Sequence, residues 1–578
     1  MTTNISNRVK NNIKLDPNSV WILSNRKPFN YSDGSEGYLK KVLSKAKDLS
    51  SNSYELEKWI KDWPSEYHLS RKRSQLLRGF DFDRSNKVLE VGCGCGAITR
   101  FLGETFDDVL AIEGSLSRAS VARLRTSDMN NVDIICAPFQ EIIFQEKFDI
   151  IFCIGVFEYS AIFVDTEYPH DHILNYFQEI LKPDGVVVLA IENQFGLKYF
   201  SSNKEDHTGI MFDGLEGYPR YGDKKARTFG SGELRKLLKQ YFRSIDFYFP
   251  YPDYKTPSCI LSFRFFQKTH AGELIGRFRQ NPYMEIGKSL YDERLVLLEI
   301  DKNEMLPFFS NSFLIVAGKK EVLSLKLKQL GFYYSNNRVE KFQTVTSFIE
   351  NDEANLLVKK SLMNNQDVVK SKFIKLCKCQ SKWIEGFSIH TQIMRRVKDK
   401  SVKLEELFAP CKRWLRSIRL VSSKLDEKLL IDGKYIDCVW SNSYILNGEC
   451  KFVDLEWEWH ESISINILLI RCLYLFLTDI FVMKDLNRAL TWNSGKCLII
   501  KISRSIGVEL SKEDFKEFAK IEIRLSKSVY GRNFFRTYCS LIFFFNSNKV
   551  TYFFISSIGI LLKKIMQKIS AITISFFQ

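Results

Sequence analysis

Residues 87–114, KVLEVGCGCGAITRFLGETFDDVLAIEG, constrain the fold of this chain more than any other segment. An apolar run at Val88, Leu89 and Val91 reads as a buried strand. It breaks at Gly92, Gly94 and Gly96, and Ile98, Phe101 and Leu102 then recur at helical spacing. A second apolar run, Val109–Ile112, ends in Glu113. Strand, glycine turn, helix and strand in this order predict a parallel, doubly wound α/β sheet with a ligand at the glycine turn. Glycines let a backbone approach a bound molecule closely, and an acid at the tip of the second strand can accept hydrogen bonds from both hydroxyls of a ribose.

Glu90 sharpens this reading. An acid just before the glycines suits a cationic ligand better than a pyrophosphate, which favours the bare positive end of a helix. Downstream, Val132–Ala137 leads into Ala137-Pro138-Phe139, and Phe148–Gly155 is a buried run ending in Gly-Val-Phe-Glu-Tyr. A helix at Ile173–Leu181 then precedes Leu-Lys-Pro-Asp-Gly and the apolar run Val186–Ile191. The E-V-G-C-G-C-G segment together with this LKPDG turn resembles the class I S-adenosylmethionine (SAM) methyltransferases. The resemblance implies a Rossmann-like, doubly wound seven-stranded sheet. It further implies that Glu90, Gly92, Gly94 and Gly96 line the methionine and ribose pocket, that Glu113 binds the ribose hydroxyls, and that Ala137, Phe139 and Gly155 complete the cofactor wall. Many relatives carry an aspartate after the third strand to read adenine. Here Cys136 and Ala137 stand nearest, so adenine contact is expected from the Ala137–Phe139 backbone or from Gln140 or Glu141.

Two flanking segments narrow the resemblance: Trp63-Pro-Ser-Glu-Tyr67-His68-Leu-Ser70 upstream, and IENQFGLKYFSSNKEDHTG (Ile191–Gly209), GLEGYPRYG and FPYPDYKTP downstream. These are similar to methyltransferase modules of bacterial surface-polysaccharide (O-antigen type) biosynthesis, over about residues 55–320, with Asn311–Lys320 as the last strand. The implied reaction is O-methylation of a sugar hydroxyl on a glycan or lipid-linked saccharide, in the company of other polysaccharide assembly enzymes. A hydroxyl is a weak nucleophile until its proton leaves, so a general base is sought. The candidates are His207 and Asp206 in the E-D-H-T-G loop, and His68. Glu158 and Tyr159 are expected in the cofactor or acceptor wall. Methylation of a small natural product, or a non-catalytic scaffold, are the competing readings.

A second character begins after Lys320. Ala354–Lys360 is an apolar strand ending in Lys359 and Lys360, and Trp383-Ile-Glu-Gly386 follows. Asp437 and Asn442 lie five residues apart, and an Asn447-Gly448 turn between two apolar runs predicts a hairpin that delivers Asp454. This is similar to a kinase-like α+β domain over residues 325–500. In such a domain Lys359 or Lys360 would contact phosphate, Asp437 would orient a hydroxyl, and Asn442 and Asp454 would hold Mg²⁺ with ATP. Tyr435 stands where that loop carries histidine, Leu455-Glu456 replaces Phe-Gly, and no glycine-rich nucleotide loop is present, so an inactive module is an open alternative.

Charge and composition set the remaining expectations. The net charge of +16 suggests an acidic partner. The last 56 residues hold eight Lys or Arg and no acid, among many phenylalanines. With residues 1–54 as an N-terminal arm and 501–578 as a basic helical tail, this predicts a tail at an anionic membrane surface and a cytoplasmic protein peripheral to the inner membrane. No basic patch coincides with a nucleic-acid motif. Thirteen irregularly spaced cysteines suit a reducing compartment, and no apolar leader is evident at the N-terminus. The apolar stretch 464–482 contains Arg471 and Asp479, which predicts a buried helix and not a membrane span.

Overall fold

The computed structural model describes residues 5–24, 29, 31–220, 222, 225–278, 289–321, 323–364, 366–425, 428–481, 483–491 and 494–546. The chain divides into two compact units, one formed by residues 1–284 and 299–333, the other by 285–298 and 334–578.

The first unit is built on a mixed sheet. Its strands are β1 (Ile13–Leu15), β2 (Trp21–Leu23), β3 (Lys87–Val91), β4 (Asp108–Glu113), β5 (Val132–Cys136), β6 (Phe148–Ile154), β7 (Leu181–Glu192), β8 (Ser244–Tyr251), β9 (Cys259–Ser262) and β10 (Ser312–Gly318). They lie side by side in the order β1-β2-β5-β4-β3-β6-β7-β10-β8-β9. Strands β2 to β7 run parallel, with Leu89 opposite Leu110 on one side and Ile151 on the other. Strand β10 is antiparallel to both neighbours, and Ile315 faces Leu189 and Phe247. Its span, Ser312–Gly318, falls inside the 311–320 segment whose sequence predicts the last strand.

Parallel strands are covered on both faces, so they read as almost unbroken apolar runs. Leu89, Leu110, Ile151 and Val188 are fully buried. The helices Ala97–Thr105, Leu116–Arg125 and Pro169–Ile180 are the crossovers that cover them. Leu102, Ala119 and Ala122 pack with Val88, Val109 and Phe152 in one apolar cluster. The LKPDG turn is a bulge inside β7. Leu181 pairs with Phe148, but Val186 pairs with Ile150, so four residues loop out against one. The arm before the core adds β1 and β2, with Trp21 beside Ile135.

The second unit is antiparallel and helical. Thr344–Glu350, Leu356–Leu362 and Cys379–Lys382 pair in succession, as do Val368–Lys370, Ile374–Cys377 and Trp457–Trp459. Ser443–Leu446 and Glu449–Phe452 form the hairpin that the Asn-Gly turn demands; Asn447 at φ 50° and Gly448 at φ 84° give the twist it needs. The helix Ile465–Ile480 is packed nearly all round, against Trp414, Trp440 and the helix Lys512–Tyr530 among others. Arg471 within it is neutralised by Asp437 at 3.1 Å and Glu522 at 3.3 Å. No helix among the described residues is long and apolar enough to cross a membrane. The helix Phe534–Asn546 docks through Leu541 and Phe544, both 1% exposed. The rest of the tail, 547–578, lies outside the described residues.

Candidate functional site

Strand ends β3, β4, β6 and β7 open into one cleft in the first unit. A parallel sheet presents its carboxyl ends to one edge, so each residue that ends a strand faces the same cavity. Glu90, Gly92, Gly94, Glu113, Ala137, Phe139 and Gly155 all line it. Gly96 lies beneath, at φ 82°, and a Cβ there would come within 2.7 Å of the Ala122 backbone. Glycine is therefore required for the helix Ala97–Thr105 to pack on Leu116–Arg125.

Glu90 is 3% exposed, and its Oε2 has no hydrogen-bond partner. Burial, helped by the nearby Glu113 charge, pushes its carboxyl up to about 7. Such a group is expensive to ionise alone and well suited to a cation that enters the cleft. Glu113 is preorganised: its Oε2 accepts from the Gly94 amide at 2.8 Å and its Oε1 from the Ser115 amide at 3.0 Å. These contacts fit a ligand with an ammonium group and a ribose, which is the pairing that SAM presents. Gln140 lines the same cleft, and its Oε1 has no hydrogen-bond partner.

The base candidates separate on geometry. Asp206 accepts from Lys198 Nζ at 2.6 Å, Lys255 Nζ at 3.0 Å and the Tyr199 hydroxyl at 3.1 Å. Against its burial, the two lysines hold it well below the usual carboxylate range. A carboxylate so occupied has little basicity to offer. His68 is 2% exposed, with Nε2 2.8 Å from Asp33 Oδ2, and burial lowers its pKa despite that partner. His207 points into the cleft with Nδ1 3.1 Å from the Tyr159 hydroxyl and Nε2 3.5 Å from Glu192 Oε2. Burial alone would depress the imidazole, but Glu192, followed by Glu158 and Glu205, pushes it up to about 9. At neutral pH it holds a proton.

Several lining residues escape sequence reasoning. Glu192, fully buried at the end of β7, is held ionised against its burial by Lys255, at 2.5 Å, and by His207. Glu158, which the sequence does place in the cofactor or acceptor wall, lines the cleft beside it, 1% exposed and pushed up to about 8, by burial first and then by Glu192. Tyr31 and Asp33 come from the N-terminal arm, Arg118 from the helix after β4, and Tyr254 and Lys255 from the loop after β8. A usable signal existed for Glu192: like Glu90 and Glu113, it is an acid ending an apolar strand of a parallel sheet.

In the second unit, Lys360 is buried and Lys359 exposed. Lys360 Nζ contacts Asp454 and lies 2.9 Å from Glu456, which also pairs with Arg338. Asn442 Nδ2 donates to Asp437 Oδ2 at 3.1 Å, and Arg471 occupies the other Asp437 oxygen. Cys377 and Cys379 are free thiols.

Residues 89–189 match the family model of a methyltransferase domain. A ubiquinone biosynthesis O-methyltransferase of Bradyrhizobium diazoefficiens is 27% identical over 125 residues, which is 22% of this chain. The match spans about half of that relative's length, 47%. Among solved structures, a TehB-like SAM-dependent methyltransferase of Corynebacterium glutamicum is 14% identical, covers 43% of this chain and 88% of its own, and has a TM-score of 0.24. The N-methyltransferase NodS of Bradyrhizobium japonicum, with S-adenosyl-L-homocysteine bound, is 18% identical, covers 28% and 75%, and has a TM-score of 0.20. The N-terminal half of the chain thus carries a class I SAM-dependent methyltransferase domain.

Proposed function

We propose that the protein is a SAM-dependent methyltransferase that O-methylates a sugar hydroxyl of a cell-surface polysaccharide or lipid-linked glycan. The observation that carries the transferase reading is the buried, unsatisfied carboxylate of Glu90 sharing one cleft with Glu113 and with a polar cluster at Glu158, Glu192 and His207. Bound SAM supplies a methyl group on a sulfonium centre, a good electrophile toward an oxygen lone pair. The chain does the rest. Glu90 receives the ammonium group, Glu113 fixes the ribose, and the Glu158–Glu192–His207 cluster faces the place where an acceptor hydroxyl must lose its proton. Asp206, saturated by two lysines, positions Lys255 and is not itself the base.

A hydroxyl acceptor suits this polar wall, and Trp63 and Tyr67 on the same cleft offer ring faces to a sugar. Transfer of labelled methyl from SAM into cell-surface glycan fractions tests the acceptor. Label in the glycan is expected. Label only in small, organic-soluble products would replace the glycan with a small-molecule acceptor, the reading that the O-methyltransferase relative favours.

For the second unit we propose a kinase-like module in which Lys360, not Lys359, is the phosphate-contacting lysine. The Lys360–Asp454 contact and the Asp437–Asn442 hydrogen bond support it. Arg471 on Asp437 and Glu456 on Lys360 favour an inactive form, because both groups are already neutralised. ATP with Mg²⁺ should raise the melting temperature of the protein and fail to do so in Asp454→Ala; no rise in the parent protein would contradict nucleotide binding.

A further inference from the structure

Three atoms at the floor of the methyltransferase cleft are buried without a hydrogen-bond partner: Glu158 Oε2, Glu192 Oε2 and His207 Nε2. They come from three separate segments, after β6, at the end of β7, and in the loop that follows. Each residue can offer one ligand atom such that the three lie within 4.8 Å of one another. Two carboxylate oxygens and an imidazole nitrogen aimed at one point and desolvated are costly unless positive charge, a proton or a metal ion, sits between them.

The remaining polar atoms of Glu192 and His207 are occupied, in the way that orients metal ligands. Glu192 Oε1 accepts from Lys255 at 2.5 Å and from the Tyr254 hydroxyl at 3.3 Å, which turns Oε2 inward. His207 Nδ1 meets the Tyr159 hydroxyl at 3.1 Å, leaving Nε2 for the centre. The His207 loop is pinned by Glu205, which accepts from the amides of His207 and Thr208 at 2.7 and 2.6 Å. Outer hydrogen bonds of this type fix the tautomer and direction of a ligating histidine. The separation of 3.5 Å between His207 Nε2 and Glu192 Oε2 is what two ligands on one ion make, since bonds of ~2.1 Å at a tetrahedral angle place them about 3.4 Å apart.

The charges agree. Lys198 and Lys255 are balanced by Asp206 and Asp253, with Lys198 Nζ 2.6 Å from the former and 3.9 Å from the latter. A cation that displaces the protons of this cluster would meet Glu158 and Glu192 as two negative charges beside a neutral imidazole, the complement of a divalent ion. We propose that Glu158, Glu192 and His207 form a divalent-metal site at the base of the cleft. Its mixed nitrogen and oxygen donors favour Mn²⁺ or Zn²⁺ over Mg²⁺, which prefers oxygen and water. Its open positions face the cavity that Glu90 and Glu113 also line. There the ion would hold an acceptor oxygen and acidify its hydroxyl, the proton leaving to solvent water. That role in methyl transfer rests on the function proposed above; the ion site itself does not.

The test is a titration of the full chain with Mn²⁺, followed by electron paramagnetic resonance of the free ion, alongside calorimetric SAM binding on the same samples. One saturable site per chain is expected. Glu158→Gln and His207→Asn should each weaken Mn²⁺ at least tenfold, Zn²⁺ should compete, and SAM affinity should stay within about threefold, which certifies the fold. No saturable site, unchanged Mn²⁺ affinity in both variants, or competition by Mg²⁺ equal to that by Zn²⁺ would overturn the proposal. Mn²⁺ binding without SAM binding leaves the metal site standing and removes the methyltransferase reading; SAM binding without Mn²⁺ does the reverse.

Discussion

Glu90 illustrates how one side chain can be costly to the fold and useful to the ligand. Its carboxyl rises from an ordinary 4.5 to about 7 through burial. An acid with a raised pKa destabilises the folded state as pH climbs: the cost is absent below about 4.5, grows through the interval, and is complete above about 7. Glu90→Gln should therefore stabilise the ligand-free protein at pH 8, by up to about 3 kcal/mol, and have no effect near pH 4. Chemical denaturation at the two pH values checks this, and equal effects would refute the burial argument. The same titration should appear in binding. Affinity for SAM should strengthen between pH 6 and pH 8 as Glu90 becomes ready to pair, and should stay flat in Glu90→Gln.

At the scale of elements, the glycine loop is the part most sensitive to a single methyl group. Gly96→Ala would place a Cβ 2.7 Å from the Ala122 backbone, at a φ of 82° that alanine avoids. A loss of about 1–3 kcal/mol and at least tenfold weaker SAM binding are expected, measured by urea unfolding and calorimetry; a variant of wild-type stability and affinity would contradict the packing described. The same elements show what a sequence can reveal. Strands β3 to β7 are legible because burial on both faces leaves apolar runs at Val88–Val91, Val109–Ile112 and Phe148–Ile154. Strands β1 and β2 are not, because each has only three residues and polar neighbours, and their place beside β5 is a long-range choice. Glu90 and Glu113 can be read locally from the glycines between them. The Glu158–Glu192–His207 cluster cannot, because nothing short of the folded sheet brings the three together. Nor could the sequence choose between Lys359 and Lys360: adjacent residues on a strand face opposite ways, and only the partners Asp454 and Glu456 decide which is buried.

For the whole molecule, the basic charge and the site chemistry belong to different parts. The cleft is worked by acids, whereas half of the excess positive charge lies beyond residue 522. The helix Phe534–Asn546 commits Leu541 and Phe544 to the core and leaves Tyr538, Ile542 and Phe543 about 40% exposed. This exposed apolar side, next to a basic segment, is the basis for proposing an anionic membrane surface as partner. Removing residues 547–578 spares the docked helix, so the truncated protein should keep its melting temperature yet lose most of its co-sedimentation with phosphatidylglycerol vesicles. Undiminished sedimentation would place membrane binding elsewhere or nowhere. The central claim, however, concerns the first unit, and calorimetric titration of the full chain with SAM tests it most directly. The structure predicts one site per chain, with affinity reduced at least tenfold in Glu90→Gln and again in Glu113→Ala; no detectable binding, or binding indifferent to both substitutions, would contradict it.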